Sequence, residues 1–245
     1  MNGNVDAKAL IPPDSLITDE AASQDSVPDL VVDNKSFGLR MMDTQNGRNE
    51  ASLLINKMYA WRGYGDNHQL AEDPNRITLA ARDKQGNTVG TITVGIDSSD
   101  GILADHLFKE EIDAYRARDG VKVCEFTKLA FDPGVQSKEA MGSLFHLAVM
   151  YARDLHHCTD LFIEVNPRHR RFYQHMLGFT AQGSPKTNAR VNAPAHLMWV
   201  SLAYITEQVK AVGGKGALSG ERSFYAMFFS EAEEQGILQR LRAIH

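Results

Sequence analysis

The sequence predicts an α/β fold built on a mixed sheet, and three features carry that expectation. Two apolar, β-branched segments flank the turn-rich connector Asp83-Lys84-Gln85-Gly86-Asn87, which reads as an antiparallel hairpin. Met141, Leu144, Phe145, Ala148, Ala152 and Leu155 recur at three and four residues over 136–157, the spacing of a long helix with one apolar stripe. Leu161, Ile163 and Val165 then alternate as a strand that runs straight into Asn166-Pro167, an N-cap followed by proline at the first helical position.

Along the chain, 37–42 reads as a short strand. Residues 47–60 place Leu53, Leu54, Met58 and Tyr59 at helical spacing, ahead of the aromatic loop Trp61-Arg62-Gly63-Tyr64-Gly65. The hairpin takes 77–82 and 88–96. A helix follows near 104–118, then a strand over 121–131 stopped by Asp132-Pro133-Gly134, the long helix, and the 161–165 strand. A short helix to about Leu177 ends at Gly178, and 193–202 is the last strand. Residues 203–245 read as a helical extension, with Ser230 and Glu233 as a capping box before Ile237, Leu238 and Leu241. Crossovers through helices require some parallel pairing, hence the mixed sheet.

Composition narrows the function classes. The net charge of −5 resides in residues 1–36, which hold seven acids against Lys8 and Lys35, no aromatic residue and three of the eight prolines; this reads as a flexible acidic tail. Residues 37–245 are balanced at 24 acids and 24 bases. Cys124 and Cys158 cannot make a disulfide framework or a zinc-type spacing, and His156, His157 and Cys158 are too close in sequence to share a helix face, so no metal is expected. Without an 18-residue apolar run or a signal-peptide pattern, a cytoplasmic protein is expected. The strongest charge segregation lies between Glu164 and Glu207, where 42 residues carry no acid but include Arg168, Arg170, Arg171, Lys186 and Arg190. That suggests an anionic partner, or else a solvated basic face; no nucleic-acid motif accompanies it.

Asn166-Pro167 followed by Phe172-Tyr173-Gln174-His175-Met176-Leu177-Gly178-Phe179, with this order of elements, resembles the GNAT superfamily of acyltransferases. Glu125-Phe126-Thr127-Lys128-Leu129 is similar to the strand of acyl-homoserine-lactone synthases that carries a glutamate and a basic residue at this spacing. Over 37–245 the chain resembles the long-chain N-acyl amino acid synthases of the FeeM type. The resemblance implies a mostly antiparallel sheet with splayed central strands in a domain over 37–202, the extension packed upon it. The implied activity is transfer of a long-chain acyl group from a thioester to the amine of an amino acid, with no tightly bound cofactor. Its alternatives are an acyl-CoA-dependent N-acetyltransferase, a homoserine-lactone synthase and a non-catalytic acyl-sensing domain.

Two departures from the superfamily matter. Most GNAT enzymes open the long helix with a glycine-rich loop that wraps the pyrophosphate of coenzyme A. Here the stretch is Gln136-Ser137-Lys138-Glu139-Ala140-Met141, where a carboxylate would oppose an anion. A phosphopantetheine arm on acyl carrier protein needs no such cradle and becomes the expected donor. Gly178 also follows Tyr173 by five residues rather than the usual four, which turns the side chain relative to the family's acid.

Amide formation needs a base for the amine, a donor to the thioester oxyanion and an acid for the leaving thiolate. Glu125, alone among apolar strand residues, is the candidate base; the plainer reading is an edge glutamate or an ion pair with Lys128. A bulge would be needed to bring Glu125 and Lys128 to one face. The resemblance implies one, with backbone of Phe126, Thr127, Lys128 and Leu129 as oxyanion donor and Lys128 on the acceptor carboxylate. Tyr173 is the candidate acid. Trp61, Arg62 and Tyr64 are expected around the acceptor, or as loop anchors, and Asn166 beside the pantetheine entrance. Arg168, Arg170, Arg171, Lys186 and Arg190 are expected to dock the carrier.

Overall fold

The computed structural model describes residues 32–33, 37–134, 137–189 and 191–244. Most of segment 1–36, Gln136 and Arg190 lie outside them. In chain order the strands are Val32–Asp33 (β1), Gly38–Met41 (β2), Arg76–Arg82 (β3), Thr88–Ile96 (β4), Val123–Phe131 (β5), Asp160–Val165 (β6), Thr180–Asn188 (β7) and Ala193–Ser201 (β8). They form one sheet in the order β1-β2-β3-β4-β5-β6-β8-β7. Among these neighbours β5 and β6 run parallel and the other pairs antiparallel. The helices are Gln45–Trp61 (α1), Asp105–Arg116 (α2), Lys138–Met150 (α3), Arg170–Leu177 (α4), Leu202–Val212 (α5) and Glu231–Ile244 (α6).

Local chemistry sets most boundaries where the sequence places them. Thr44, Ser137 and Ser201 cap α1, α3 and α5 through their hydroxyl oxygens, and Gly178 ends α4 at φ 70°, which a side chain disfavours. Asn166 caps a 3₁₀ turn, Pro167–His169, which leads into α4. The expected capping box forms: the Glu233 amide donates to Ser230 Oγ, and the Ser230 amide to Glu233 Oε2.

Three expectations change. Two residues of the segment read as a tail, Val32 and Asp33, pair with Leu39 and Gly38, and Val32 is buried. Strand β7 was unforeseen: Gly183, Ser184 and Pro185 interrupt it, its register shifts between Gln182 and Lys186, and it survives as an edge strand on β8. The long helix passes into a π turn at Tyr151–Leu155. It is also no one-faced stripe, since ten of the thirteen residues of α3 are buried.

The extension explains that burial. One side of α3 packs on the sheet, and Phe224, Tyr225, Phe228, Phe229, Ile237 and Leu241 join the same core from the C-terminal segment. Tyr225 OH donates to the Leu177 carbonyl at 2.7 Å. The Phe229 amide donates to His146 Nδ1 at 3.1 Å, and burial, then Arg153, pushes that imidazole down to about 3, so it stays neutral. Arg153 bridges Asp154 and Glu234. No helix among the described residues is long and apolar enough to cross a membrane.

Gly142 sets the closeness of this packing. A Cβ there would stand 2.5 Å from Met227 Cβ and 2.7 Å from its carbonyl oxygen. Helix propensity alone would make Gly142→Ala stabilising by about 1 kcal/mol. The clash should reverse the sign and give a net loss of about 1–3 kcal/mol in urea unfolding at unchanged m; a stabilised variant would mean the turn yields.

Candidate active site

The site begins where the sheet opens. β5 pairs with β6 from Val123↔Asp160 to Phe126↔Ile163, although β5 continues to Phe131 and β6 to Val165. On its other edge, Thr127 faces Thr93 and Ala130 faces Thr91, so Lys128 and Leu129 together oppose Ile92. This is a bulge at the expected place. Lys128 adopts φ 52°, a left-handed conformation that costs a side-chain-bearing residue about 1–2 kcal/mol, and its carbonyl accepts from Thr91 Oγ1 at 2.9 Å. The extra residue resets the alternation. Phe126, Leu129 and Phe131 pack toward the core that holds α3, while Ala130 packs against α1.

A cleft occupies the opening and has two lobes that share Tyr59, Tyr64, Thr127, Lys128, Glu164, Val165 and Asn166. One lobe, about 360 Å³, runs among Ile92, Phe126, Leu129, Phe131, Met141, Phe145, Ile163, Phe172 and Tyr173, with Arg62 and His169 also on its walls. It is an apolar channel through the splay toward α3. The other, about 230 Å³, is closed by His68, Leu103, Asn188 and residues 193–195. Its polar groups include Lys128, Glu164, Asn166, Asn188, Thr127 and His68.

Glu125 lies on β5 before the opening, 2% exposed. Its Oε1 accepts from the Leu103 amide at 2.7 Å and its Oε2 from the Ala104 amide at 3.0 Å. Ala104 precedes α2 without a side-chain cap of its own, so a carboxylate from a distant strand serves that helix end. The packing is close: a Cβ on Gly95, its partner across β4, would come within 2.9 Å of Glu125 Cγ. Burial pushes the carboxyl up to about 7 against the opposing pull of the two amides. Glu125 stands behind Leu103 and is not itself on the cleft wall. The bulge therefore places Lys128 in the cleft without bringing Glu125 beside it.

Of the other expected residues, Phe126, Thr127, Lys128, Leu129, Asn166, Arg62, Tyr64 and Tyr173 all line the cleft. Burial holds the Tyr173 phenol well above its ordinary value, so it keeps its proton. Trp61 is a correction: the last turn of α1 turns it outward, 73% exposed and away from both lobes. Lys186 is another. Its ammonium is held by Glu111 at 2.8 Å and by the Leu107 carbonyl, which ties β7 to α2 rather than completing a docking patch. Arg168, Arg170 and Arg171 are exposed, and Arg168 reaches the cleft wall by donating to Tyr64 OH at 3.1 Å.

No motif singles out Tyr59, His68, Glu164 or Asn188 as site residues. Tyr59 reads as a helix-core residue, yet docking of α1 on β4 and β5 aims it at the opening, and burial pushes its phenol up to about 12. Its ring meets those of Tyr64 and His68 edge-on. Asn188 belongs to the unforeseen strand β7.

The folded protein holds the Glu125 proton more tightly than the unfolded chain does. This group therefore favours folding most below its ordinary 4.5, and the contribution is lost as pH rises through about 7. The displacement corresponds to on the order of 3 kcal/mol. Unfolding free energies of wild type and Glu125→Gln between about pH 4.5 and 8 should diverge by that order, in the variant's favour as pH rises. A pH-independent difference would mean the carboxyl ionises at its ordinary value.

Comparison with known proteins agrees with this geometry. The sequence pattern of the FeeM family of N-acyl amino acid synthases matches residues 50–201. The solved structure of FeeM, an N-acyl amino acid synthase from uncultured soil microbes, superposes with a TM-score of 0.62 at 29% identity, over 68% of this chain and 92% of that one. Two further structures share the fold. A candidate N-acetyltransferase from Lactobacillus plantarum has a TM-score of 0.50 at 15% identity, over 68% and 99% of the two chains. TofI, solved with an inhibitor and MTA, has 0.51 at 13%, over 67% and 91%. No curated protein sequence matches the chain. A GNAT-type sheet opened at β5 and β6, a bulged strand on the opening and a family match over residues 50–201 lead to one conclusion: the chain belongs to the FeeM family of N-acyl amino acid synthases and is an acyltransferase.

Proposed function

We propose that the protein transfers a long-chain acyl group from the thioester of acyl carrier protein to the amine of an amino acid, in the cytoplasm. The observation that carries this reading is the two-lobed cleft. Its apolar lobe, walled by Phe126, Met141, Phe145 and Phe172, suits an acyl chain; its polar lobe, with Lys128, suits the acceptor and its carboxylate. Where a coenzyme A cradle would need bare glycine backbone, Ser137 caps α3, Glu139 sits in its first turn and Met141 is part of the acyl wall. That supports the carrier as donor.

In this reading the thioester carbonyl rests against the bulge at residues 127–129, whose backbone donates to the oxyanion. Glu125 is the base, taking the amine proton through an intervening water because it stands behind Leu103, a wall of the polar lobe; its carboxyl ionises near neutrality. Tyr173, kept protonated by burial, is the donor to the leaving thiolate. The C–N bond forms as the C–S bond breaks, and the carrier leaves as free thiol.

Release of free thiol, followed with long-chain acyl carrier protein and with the same acyl-CoA, tests the assignment. Release should require an amino acid, proceed faster from the carrier, and fall by about 10²-fold or more in Glu125→Gln. Equal or faster release from acyl-CoA removes the carrier. An unchanged Glu125→Gln rate leaves that residue as the cap of α2 alone.

The carrier itself is proposed to dock on Arg168, Arg170 and Arg171, exposed at the start of α4 beside the cleft mouth. Carrier proteins are acidic, and complementary patches act chiefly on association. Exchanging Arg170 and Arg171 for glutamate should raise KM for acyl carrier protein and flatten its salt dependence, with saturated turnover and the reaction of a free acyl-pantetheine little changed. Equal loss in both reactions would assign the arginines to folding instead.

A further inference from the structure

We propose that Glu164 receives the ammonium group of the acceptor across the opening from Lys128, so that the two strand walls hold an amino acid by its opposite ends. The proposal rests on the reading that the acceptor is an amino acid, and it assigns the residue that recognises the amine. An α-amino acid arrives with a cation and an anion two bonds from one another's bearing carbon. A site that binds it and also aims the nitrogen at a thioester needs a carboxylate on the wall of the space in which attack occurs.

Glu164 meets that requirement by position. The last paired residues of β5 and β6 are Phe126 and Ile163, so the next residue on each side, Thr127 and Glu164, begins the two walls of the opening. Alternation along β6 fixes the face. Leu161, Ile163 and Val165 belong to the core around α3, and Phe162 to the cluster around α2. Glu164 therefore shares the face of Phe162 and borders both lobes, at the junction where acyl carbonyl and acceptor must meet. Parallel strands run about 4.8 Å apart where they pair, and beyond the last pair Lys128 on β5 and Glu164 on β6 both line the cleft.

Two further observations favour Glu164 over Glu125 for this task. Both oxygens of Glu125 are engaged by the Leu103 and Ala104 amides, behind the wall. Glu164 lines both lobes of the cleft, and Asn188 Nδ2 on β7 donates to its Oε1. The surrounding Tyr59 and Tyr64 supply apolar edges for the acceptor's side chain. In the reaction the bound ammonium gives up its surplus proton through cleft water, the nitrogen attacks the thioester carbonyl, and the thiol leaves with the second amine proton. Glu164 holds the nitrogen throughout and so governs acceptor affinity more than turnover.

Binding of the two halves of one acceptor tests this without turnover. Phenylalanine, 2-phenylethylamine and 3-phenylpropionate would be titrated calorimetrically into wild type, Glu164→Gln and Lys128→Ala, with the melting temperature of each variant recorded. The amine should bind Glu164→Gln about 10- to 100-fold more weakly than wild type, and the carboxylate about equally. Lys128→Ala should show the reverse. Glu164→Asp, which keeps the charge, should recover part of the amine affinity if Glu164→Gln folds poorly. In the thiol assay Glu164→Gln should raise KM for the amino acid while kcat stays within about 3-fold. Equal weakening of both halves, no weakening of either, or failure of the wild type to bind either half overturns the proposal. The parent reading fails by a different result: a wild type that binds both halves but releases no thiol with any amino acid.

Discussion

The opening between β5 and β6 is the constraint on which the rest of the molecule depends. A sheet gains from an unbroken ladder, and this one gives up pairing after Phe126 and places Lys128 in a left-handed conformation to do so. Such a break persists only where its surroundings over-determine it. Here Thr91 pins the bulged carbonyl from β4, α1 seats Ala130 on one face, and Phe126 and Leu129 are packed into the α3 core on the other. Rigid elements thus hold a gap of fixed shape in the middle of a sheet.

Electrostatics follow from that geometry. The cleft puts a cation and a carboxylate on its β5 and β6 walls and keeps a third ionisable group, Glu125, dry behind them. Glu125 links two duties, since the same burial that brings its ionisation near neutrality also makes it the cap of α2. Proton affinity and helix position are therefore coupled through one residue, and Gly95 supplies the space in which both are set.

Much of this was legible in the sequence because it is local. The hairpin, Asn166-Pro167, Gly178 and the Ser230–Glu233 box are short-range patterns, and each appears where its chemistry places it, whereas the bulge in β5 was implied by the family resemblance alone. What was not legible depends on partners far along the chain. Lys186 reads as a free base until Glu111, 75 residues earlier, is folded against it. Glu164 is one acid in an apolar strand, and only the end of pairing at Ile163 shows that it borders a space. Trp61 sits in an aromatic loop that suggests a binding wall, but the phase of α1 decides which members of the loop face inward, and Tyr59 takes that place. Strand β7 carries glycine and proline in its middle, so its existence follows from β8 beside it rather than from its own residues.

The enclosure of α3 has a consequence for how the chain is made. His146 and Phe229 meet across 83 positions, and α3, which carries His146, is buried on nearly every side. On a translating ribosome the sheet strands through β6 and the helix itself emerge well before residues 224–241 that cover its outer surface. During that interval the nascent chain displays a sticky, unroofed helix, the kind of surface that holdase chaperones bind. Closure by the late-emerging segment is then a long-range event, slow relative to helix formation.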